Sequence, residues 1–573
     1  MRKWTLPGLA AALSLLAAAP SAWPAWTFSA SPDLIRAHMA YLASDELQGR
    51  DAGLPGYDLA AAYAAKQFQD MGLKPGGDNG TFLQHLTLIR DRALPGGTLK
   101  IVGPKGTVDL VEGPDFRNSA TAHGRDVTLN APAVFAGFGV VAAGQGRDDF
   151  KGLNVRGKIV VVLDGSPEAI PAADRNFVAS AGAKAMMAKR LGAVGLIVIA
   201  QPAPPPPPGR GPAQAVAAGA AAPPAAGRAP AAPPTPPNPN APGRAGAFGW
   251  TWELPGGDAN HPGVPVLATV TPAGAAKLFA GTSQTYEALL AASKSPAANP
   301  ARFNLPGRIE AVAKGELGER RPSENVIAMI EGSDPNLKSQ YIVMSGHLDH
   351  LGVSARPLPN GDAINNGALD NAGGVSTLIE AARGFATGPR PRRSVIFLLV
   401  TGEEKGLIGS SYFTNNPVVP KASIVADVNL DMPVMTYDFV DVAAIGAEHS
   451  NIIQAVNRAA GRMNIGISPD PVPRLGIFTR SDHYNFVLQG IPAVFLIGGF
   501  KNGGEVAFND FYDNRYHKPG DDLNQAIDYN VAAKWAHLNY EIAWELANQP
   551  KRPMWNKNDL FGSRYAAPST VLR

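Results

Sequence analysis

Histidine and acidic side chains recur in five short motifs in the C-terminal half of the chain. In chain order they are His347-Leu348-Asp349, Asp370 in a glycine-rich stretch, Glu403-Glu404, Asp431 and His517. Imidazole nitrogens and carboxylate oxygens are ligands for zinc and similar ions. The set is large enough to hold two ions and to leave one carboxylate free as a general base. The motifs therefore predict a metal-dependent hydrolase.

Strands and helices must bring these motifs together, because they lie far apart in the sequence. Apolar runs at 341–345, 395–400, 423–430 and 493–497 predict buried strands, and 372–385, 452–463 and 531–547 have helical patterns. Ligand sites of open α/β sheets lie beyond the carboxyl ends of the strands. His347, the glutamate pair and Asp431 each follow such a strand, and Asp370 opens a helix. The sequence thus predicts an α/β fold with all the motifs at one edge of the sheet.

Each of these residues also has a purely structural interpretation. His347 could be a core histidine, Asp370 a helix cap, and Glu403-Glu404 a solvated acidic turn. These interpretations would require several independent coincidences at one sheet edge. Adjacent glutamates behind a buried strand are also costly unless a cation or a proton neutralises them. The joint pattern therefore favours a metal site.

The combined motifs resemble metallopeptidase family twenty-eight, the co-catalytic zinc aminopeptidases that also include glutamate carboxypeptidases and glutaminyl cyclases. Residues 41–50 are similar to the N-terminal segment of family members, and residues 148–158 to the protease-associated domain often inserted in them. The resemblance implies an α/β zinc-peptidase domain with a central mixed, mostly parallel sheet flanked by helices. It also implies an inserted β-rich protease-associated domain.

The resemblance assigns the metal ligands by motif. His347 and Asp431 would hold one Zn²⁺ ion, Glu404 and His517 would hold a second, and Asp370 would bridge the two. The implied cofactors are therefore two Zn²⁺ ions.

Further roles follow from the same resemblance. Glu403 would be the general base, and Asp349 would fix the imidazole of His347, as carboxylates commonly do for metal-bound histidines. Asp521 could orient the ring of His517 in the same way. His350 competes with His517 for a ligand role and is interpreted as a wall or hydrogen-bonding residue.

A loop around Ser481 resembles the family segment that lines the substrate pocket. Asp482, His483 and Phe486 are the pocket residues that it implies, with Tyr484 offering further apolar surface. His483 is a third candidate for a metal ligand. Asp482 and His483 could equally be held in mutual hydrogen bonds as scaffold.

The amino-acid composition and the resemblance to the family together predict five segments of the chain. They are 1–25 (a signal peptide), 30–98 (the N-terminal part of the peptidase domain), 99–290 (the inserted domain), 300–550 (the catalytic domain) and 551–573 (a C-terminal tail). Residues 201–248 are dominated by Pro, Ala and Gly, a composition that buries too little apolar surface to offset the entropy of ordering. They are predicted to be a disordered loop.

The N-terminus predicts export to the periplasm or the medium. A basic start at Met1-Arg2-Lys3 precedes an apolar run at 9–19 and small residues near 19–22, which is the pattern of a cleaved signal peptide. The run is too short for a confident bilayer span, so no stable membrane span is expected after cleavage. The chain has no Cys, which excludes disulfides and thiolate metal sites.

The predicted function is a secreted zinc aminopeptidase acting on peptides. The 51 basic and 48 acidic side chains form no basic stripe, so nucleic acid is not an expected partner, and no pattern indicates an oligomeric state. The alternatives are a glutaminyl cyclase-like acyltransferase, a glutamate carboxypeptidase-like enzyme and a non-catalytic receptor-like binding protein. The complete ligand set favours the peptidase.

Overall fold

The computed structural model describes residues 28–104, 106–118, 124–202, 248–294, 301–355 and 357–572. The predicted signal peptide and nearly all of the Pro/Ala/Gly-rich segment 201–248 lie outside these residues. No helix within the described part of the chain is both long enough and apolar enough to cross a membrane.

The strands and α-helices of the described residues have the following bounds. The strands are β1 (Lys74–Pro75), β2 (Leu83–Ala93), β3 (Thr98–Gly103), β4 (Gly106–Leu110), β5 (Phe116–Asn118), β6 (Val127–Ala136), β7 (Val141–Ala142), β8 (Arg147–Asp148), β9 (Ile159–Leu163), β10 (Gly195–Ile199), β11 (Phe248–Trp252), β12 (Val266–Val270), β13 (Arg302–Ala313), β14 (Gly315–Ile330), β15 (Tyr341–His347), β16 (Gly352–Val353), β17 (Ile364–Asn365), β18 (Ser394–Val400), β19 (Ile424–Asn429), β20 (Asp441–Ile445), β21 (Gly466–Ser468) and β22 (Ala493–Gly498). The α-helices are α1 (Pro32–Leu42), α2 (Pro55–Asp70), α3 (Ala172–Ala179), α4 (Ala181–Arg190), α5 (Pro272–Leu278), α6 (Tyr286–Lys294), α7 (Gly374–Thr387), α8 (Ile408–Asn415), α9 (Ile452–Arg462), α10 (His483–Leu488), α11 (Gly504–Asn514), α12 (Tyr529–Asn548) and α13 (Gly562–Tyr565).

A large mixed sheet has the order β11-β2-β14-β18-β15-β19-β22-β20-β21, with β1 beside β14. Helices α7 and α12 pack on one face of it, and α8 and α10 pack on the other. The mixed α/β class predicted from the sequence is confirmed. The four apolar runs predicted as strands correspond to β15, β18, β19 and β22.

The expectation of a mostly parallel sheet is wrong. Strands β18, β15, β19 and β22 are parallel, as are β20 and β21 at the edge. The remaining neighbours in this sheet pair antiparallel. Among them, β14 runs antiparallel to β18 and forms a long antiparallel pair with β2. Parallel pairing is therefore concentrated at the centre of the sheet, where both faces are covered by helices.

A second sheet has the order β4-β3-β13-β6-β9-β10-β12-β5. Its strand β13 lies in the segment predicted as catalytic domain. The domain boundary predicted at residue 300 is therefore wrong, and the observed boundary lies between β13 and β14. Conversely, β11 lies in the predicted insertion but pairs with β2 at the edge of the large sheet. The assignment of the second sheet as a protease-associated domain stays a prediction.

The C-terminal segment 551–573 is packed against the body of the protein. Trp555 is almost fully buried, and its indole nitrogen donates a hydrogen bond to the carbonyl of Gly490 at 2.8 Å. Trp555 also forms isolated β-bridges with Ser450 and Val571. This segment is therefore part of the folded structure.

Candidate metal centre and active-site cavity

Side chains from separate elements converge beyond the carboxyl ends of the central parallel strands. His347 is the last residue of β15, and Asp431 lies two residues after β19. Glu403 and Glu404 follow β18, while Asp370 precedes α7 and His517 follows α11. The residues thus meet at the edge of the sheet that was predicted from the sequence.

The ligand-type side chains form two clusters that share Asp370. In the first cluster, His347 Nε2 lies 3.0 Å from Asp431 Oδ1 and 3.2 Å from Asp370 Oδ1. In the second, His517 Nε2 lies 3.1 Å from Glu404 Oε2 and 3.4 Å from Asp370 Oδ2. One oxygen of Asp370 therefore faces each cluster, which is the arrangement that a bridging carboxylate requires.

His350 also reaches the second cluster. It is fully buried, and its Nδ1 lies 2.6 Å from Glu404 Oε1. Among the described residues, neither of these two atoms has a partner with hydrogen-bond geometry. His350, Asp370 and Glu404 together form a group whose ligand atoms all lie within 4.8 Å of one another. The structure thus brings two imidazoles, His350 and His517, to the two oxygens of Glu404.

The electrostatics of the site favour cations. Burial alone would lower the pKa of His517, but Glu404 and Asp370 raise it to about 10. His347 behaves similarly, because Asp431 and Glu403 outweigh its burial and raise its pKa well above the usual range. Buried carboxylates in this number are costly unless positive charge compensates them. Most of the imidazoles and carboxylates of the site are buried, and the facing atoms of His350 and Glu404 make no hydrogen bond to each other. These features all fit divalent cations of the zinc type.

Asp349 positions the glutamate turn rather than the ring of His347. Its carboxylate accepts hydrogen bonds from the backbone N–H of Glu403 at 3.0 Å and of Glu404 at 3.4 Å. His347 Nδ1 lies 3.1 Å from the backbone carbonyl of Asp349 and 4.0 Å from its carboxylate. The predicted contact between carboxylate and imidazole is therefore wrong, and the backbone carbonyl takes its place. Burial raises the pKa of Asp349 to about 6.

Asp521 supports Asp370 and makes no hydrogen bond to His517 in the described structure. Its carboxylate accepts from the backbone N–H of Leu369 and of Asp370, both at 3.0 Å, and from the side-chain amide of Gln525. The expectation that Asp521 orients the ring of His517 is therefore wrong. Instead, this buried carboxylate fixes the segment that presents the shared ligand.

Two residues that hold Asp431 were not predicted from the sequence. The hydroxyl of Ser481 donates to Asp431 Oδ2 at 2.6 Å, and the side-chain amide of Asn429 donates to the Ser481 oxygen at 2.6 Å. Ser481 directly precedes the acid and histidine that were singled out as pocket residues. Supporting hydrogen bonds of this kind orient metal ligands and tune their basicity.

A small cavity of about 40 Å³ adjoins the first cluster. Its lining residues are His347, Asp370, Glu403, Asp431, Met432, Leu475, Ile477, Arg480, Ser481, Phe495, Phe508, Tyr512 and Tyr516. Burial raises the pKa of Glu403 well above its usual range, with Glu404 adding to the effect against the opposing charge of His347. Glu403 is thus a partly buried carboxylate on the cavity wall, beside the clusters.

Arg480 and Tyr516 add hydrogen-bond donors to the cavity, and neither was predicted from the sequence. Arg480 Nη2 donates to the hydroxyl of Tyr516 at 3.1 Å. Tyr516 stacks on His517 with 3.8 Å between ring centroids, so the ligand and the donor are held together. Tyr516 directly precedes the ligand-type residue His517 in the sequence, and this was the signal that could have identified it.

The predicted pocket residues Asp482, His483 and Phe486 are all fully buried and do not line the cavity. The segment forms α10, which packs its inner face on β22. The His483 ring lies between Phe478 and Phe495, and burial lowers its pKa to about 3. Asp482 accepts a hydrogen bond from the Ser410 hydroxyl at 2.5 Å. The pocket assignment is therefore wrong, and His483 belongs to neither metal cluster.

Comparison with known proteins finds a family match over the catalytic region. Residues 325–543 match Peptidase family M28. A probable zinc metalloprotease of Pyricularia oryzae is 28% identical over 278 residues, covering 43% of this chain and 54% of the relative. A probable leucine aminopeptidase 2 of Aspergillus fumigatus is 30% identical over 223 residues, covering 38% and 40%. The chain spans about half the length of the curated relatives it matches first.

Solved structures also match along most of the chain. The aminopeptidase of Aneurinibacillus sp. strain AM-1 aligns with 91% of this chain and 96% of its own at 18% identity, with a TM-score of 0.42.

Proposed function

Because residues 325–543 match Peptidase family M28, we propose that this protein is a zinc-dependent aminopeptidase with two zinc ions at the shared Asp370. The observation that carries the proposal is the pair of clusters that meet at Asp370, with the unshared carboxylate of Glu403 on the cavity wall beside them. His347 and Asp431 would hold one ion, and Glu404 and His517 the other.

Zinc bound in such a site acts as a Lewis acid on a carbonyl and makes a water molecule more acidic. The protein's own contribution begins with Glu403. A partly buried carboxylate with a raised pKa is suited to accept a proton from the attacking water and to donate it to the leaving amine. Asp349 supports this role, because its carboxylate holds the backbone of the turn that carries Glu403.

Arg480 and Tyr516 would stabilise the negative charge that develops on the carbonyl oxygen. Both line the cavity, and the hydrogen bond between them holds the pair in place. Fixed donors in a site with little water stabilise such charge more strongly than donors in bulk solvent.

The substrate would be a peptide with a free N-terminal amine. Glu403 lines the cavity, holds no ion in this assignment, and would attract a cationic ammonium group. Leu475, Ile477 and Phe508 line the same cavity and offer apolar surface to the first side chain. The cavity thus favours an apolar residue behind a free amine.

A panel of aminoacyl chromogens and their N-acetylated counterparts tests this substrate class. We expect leucyl and phenylalanyl substrates to be cleaved, and N-acetylation to lower kcat/KM by about two orders of magnitude or more, because an amine-binding group would be left unpaired. A glutaminyl substrate that is cyclised rather than hydrolysed would favour the cyclase alternative. Cleavage confined to acidic C-terminal residues would favour the carboxypeptidase.

We also propose that the protein is exported. The basic start at Met1-Arg2-Lys3 and the apolar run at 9–19 support a cleaved signal peptide. N-terminal sequencing of the protein isolated from periplasm or medium is expected to begin between Ser21 and Ala25. Recovery of the active protein in the cytoplasm with Met1 retained would contradict export.

A further inference from the structure

A second and larger cavity lies away from the metal clusters, between the second sheet and the C-terminal segment. Its volume is about 700 Å³, which falls within the range of about 300–1,000 Å³ typical of ligand pockets. Its walls come from three parts of the chain, which are residues 141–156, the end of α4 and the segment around α13. The cavity shares no lining residue with the one at the metal centre.

The charge of this cavity is strongly one-sided. Lys151, Arg156, Arg190 and Arg564 line it, and Asp148 is the only carboxylate among its lining residues. Within the described part of the chain, no carboxylate lies within salt-bridge distance of these four cations. The chain as a whole is nearly balanced, with 51 basic and 48 acidic side chains, so this excess is local.

Arg564 is the most constrained of the four cations. Its guanidinium carbon lies 5.0 Å from the centre of the Phe177 ring, and its Nη2 donates to the backbone carbonyl of Val141. It is only partly exposed, and burial lowers its pKa. Asp174 acts on Arg564 electrostatically without a salt bridge. A partly desolvated cation with no carboxylate in direct contact is unfavourable, and an anionic group entering the cavity would compensate it.

The cavity also has an apolar wall. Phe150, Val155, Met187 and Leu560 line it beside the cations. A small inorganic anion would use the charge but leave this wall and most of the volume uncovered. A peptide that combines acidic and apolar side chains would use both, because apolar walls with a few fixed polar groups are the usual composition of a ligand site.

We propose that this cavity, defined by Lys151, Arg156, Arg190 and Arg564, is a binding site for an acidic peptide segment, separate from the metal centre. The proposal does not depend on the protein being a peptidase. Because it rests on unpaired charge, it requires binding that weakens as the salt concentration rises.

Isothermal titration calorimetry on the full-length protein tests the site with N-acetylated, C-amidated hexapeptides that alternate Glu and Leu. The blocked termini keep the probe from being held through a free amine or a free carboxylate. We expect saturable binding that falls with added salt, and no binding of the matched peptide in which Gln replaces each Glu. The double variant Arg156→Glu/Arg190→Glu should weaken binding by at least about tenfold, because it reverses two exposed charges at the cavity.

Arg390→Glu is the matched control, since Arg390 is an exposed arginine that does not line the cavity. It should bind the acidic peptide like the unmodified protein, and thermal melts should give both variants an unchanged unfolding midpoint. Equal binding of the Gln peptide, or full binding by the folded double variant, would overturn the proposal. Binding of inorganic phosphate without binding of the acidic peptide would also overturn it, in favour of a small-anion site.

Discussion

Glu403→Gln is expected to lower kcat by roughly two to four orders of magnitude while leaving the metal content unchanged. Glu403 lies on the cavity wall but does not take part in either cluster of ligand-type side chains. The amide retains the size of the carboxylate and can no longer accept a proton. Steady-state kinetics and elemental analysis on the same preparation measure both quantities.

Glu404→Gln is the matched control for this substitution. It makes the same chemical change one residue along the chain, at a side chain that faces His350 and His517. We expect this variant to lose metal, and to lose activity as a consequence. If Glu403→Gln lost metal and Glu404→Gln kept it, the assignment of base and ligand would be reversed.

The strands that carry the site could be predicted because their sequences are continuous apolar runs. Strands β15, β18, β19 and β22 are buried on both faces, so most of their positions carry apolar side chains and the signal is strong. The residue that follows each strand then falls at the ligand-binding edge without further assumptions. The convergence of His347, Asp370, Glu404 and Asp431 was predictable for this reason.

The hydrogen-bond partners of the ligands could not be predicted in the same way. Asp349 and Asp521 were both identified as supporting acids, but each supports the backbone of a turn rather than an imidazole ring. Which donor a buried carboxylate meets depends on the local course of the backbone, and the spacing of residues along the chain does not reveal it. The sequence therefore identified supporting residues but not their contacts.

The pocket residues were wrong because the segment after Ser481 is a helix rather than a loop. Once α10 packs on β22, the side chains of His483 and Phe486 point into the core and leave the cavity to the residues that precede them. The domain boundary was misplaced for a related reason. The chain passes from β13 in one sheet to β14 in the other with one residue between them, so no linker marks the change.

Removing the metal is expected to abolish activity and also to destabilise the fold. Without metal ions, Asp370, Glu404 and Asp431 lie close together in the site, and the side chains that face them at ion-pair distance are histidines. A ligand at 100 to 1,000 times its Kd stabilises the folded state by about 3–4 kcal/mol. For a domain of this size that corresponds to a fall in Tm of roughly 5–10 °C, measured by thermal melts with and without chelator.

Two histidine variants refine this prediction. His517→Ala is expected to lose about one of two metal equivalents, whereas His350→Ala is expected to keep both ions, because His517 is the assigned ligand. Loss of metal from His350→Ala alone would assign the ligand role to the buried imidazole 2.6 Å from Glu404 Oε1. An unchanged Tm on chelation, with full activity retained, would contradict the metal site itself.

The most direct test of the shared site at Asp370 is a titration of zinc into the metal-free protein, with bound metal and aminopeptidase activity measured on the same samples. One Asp370 oxygen faces each cluster, so full activity is expected to require close to two bound equivalents. Full activity at one tightly bound equivalent, with no further change on adding a second, would contradict it.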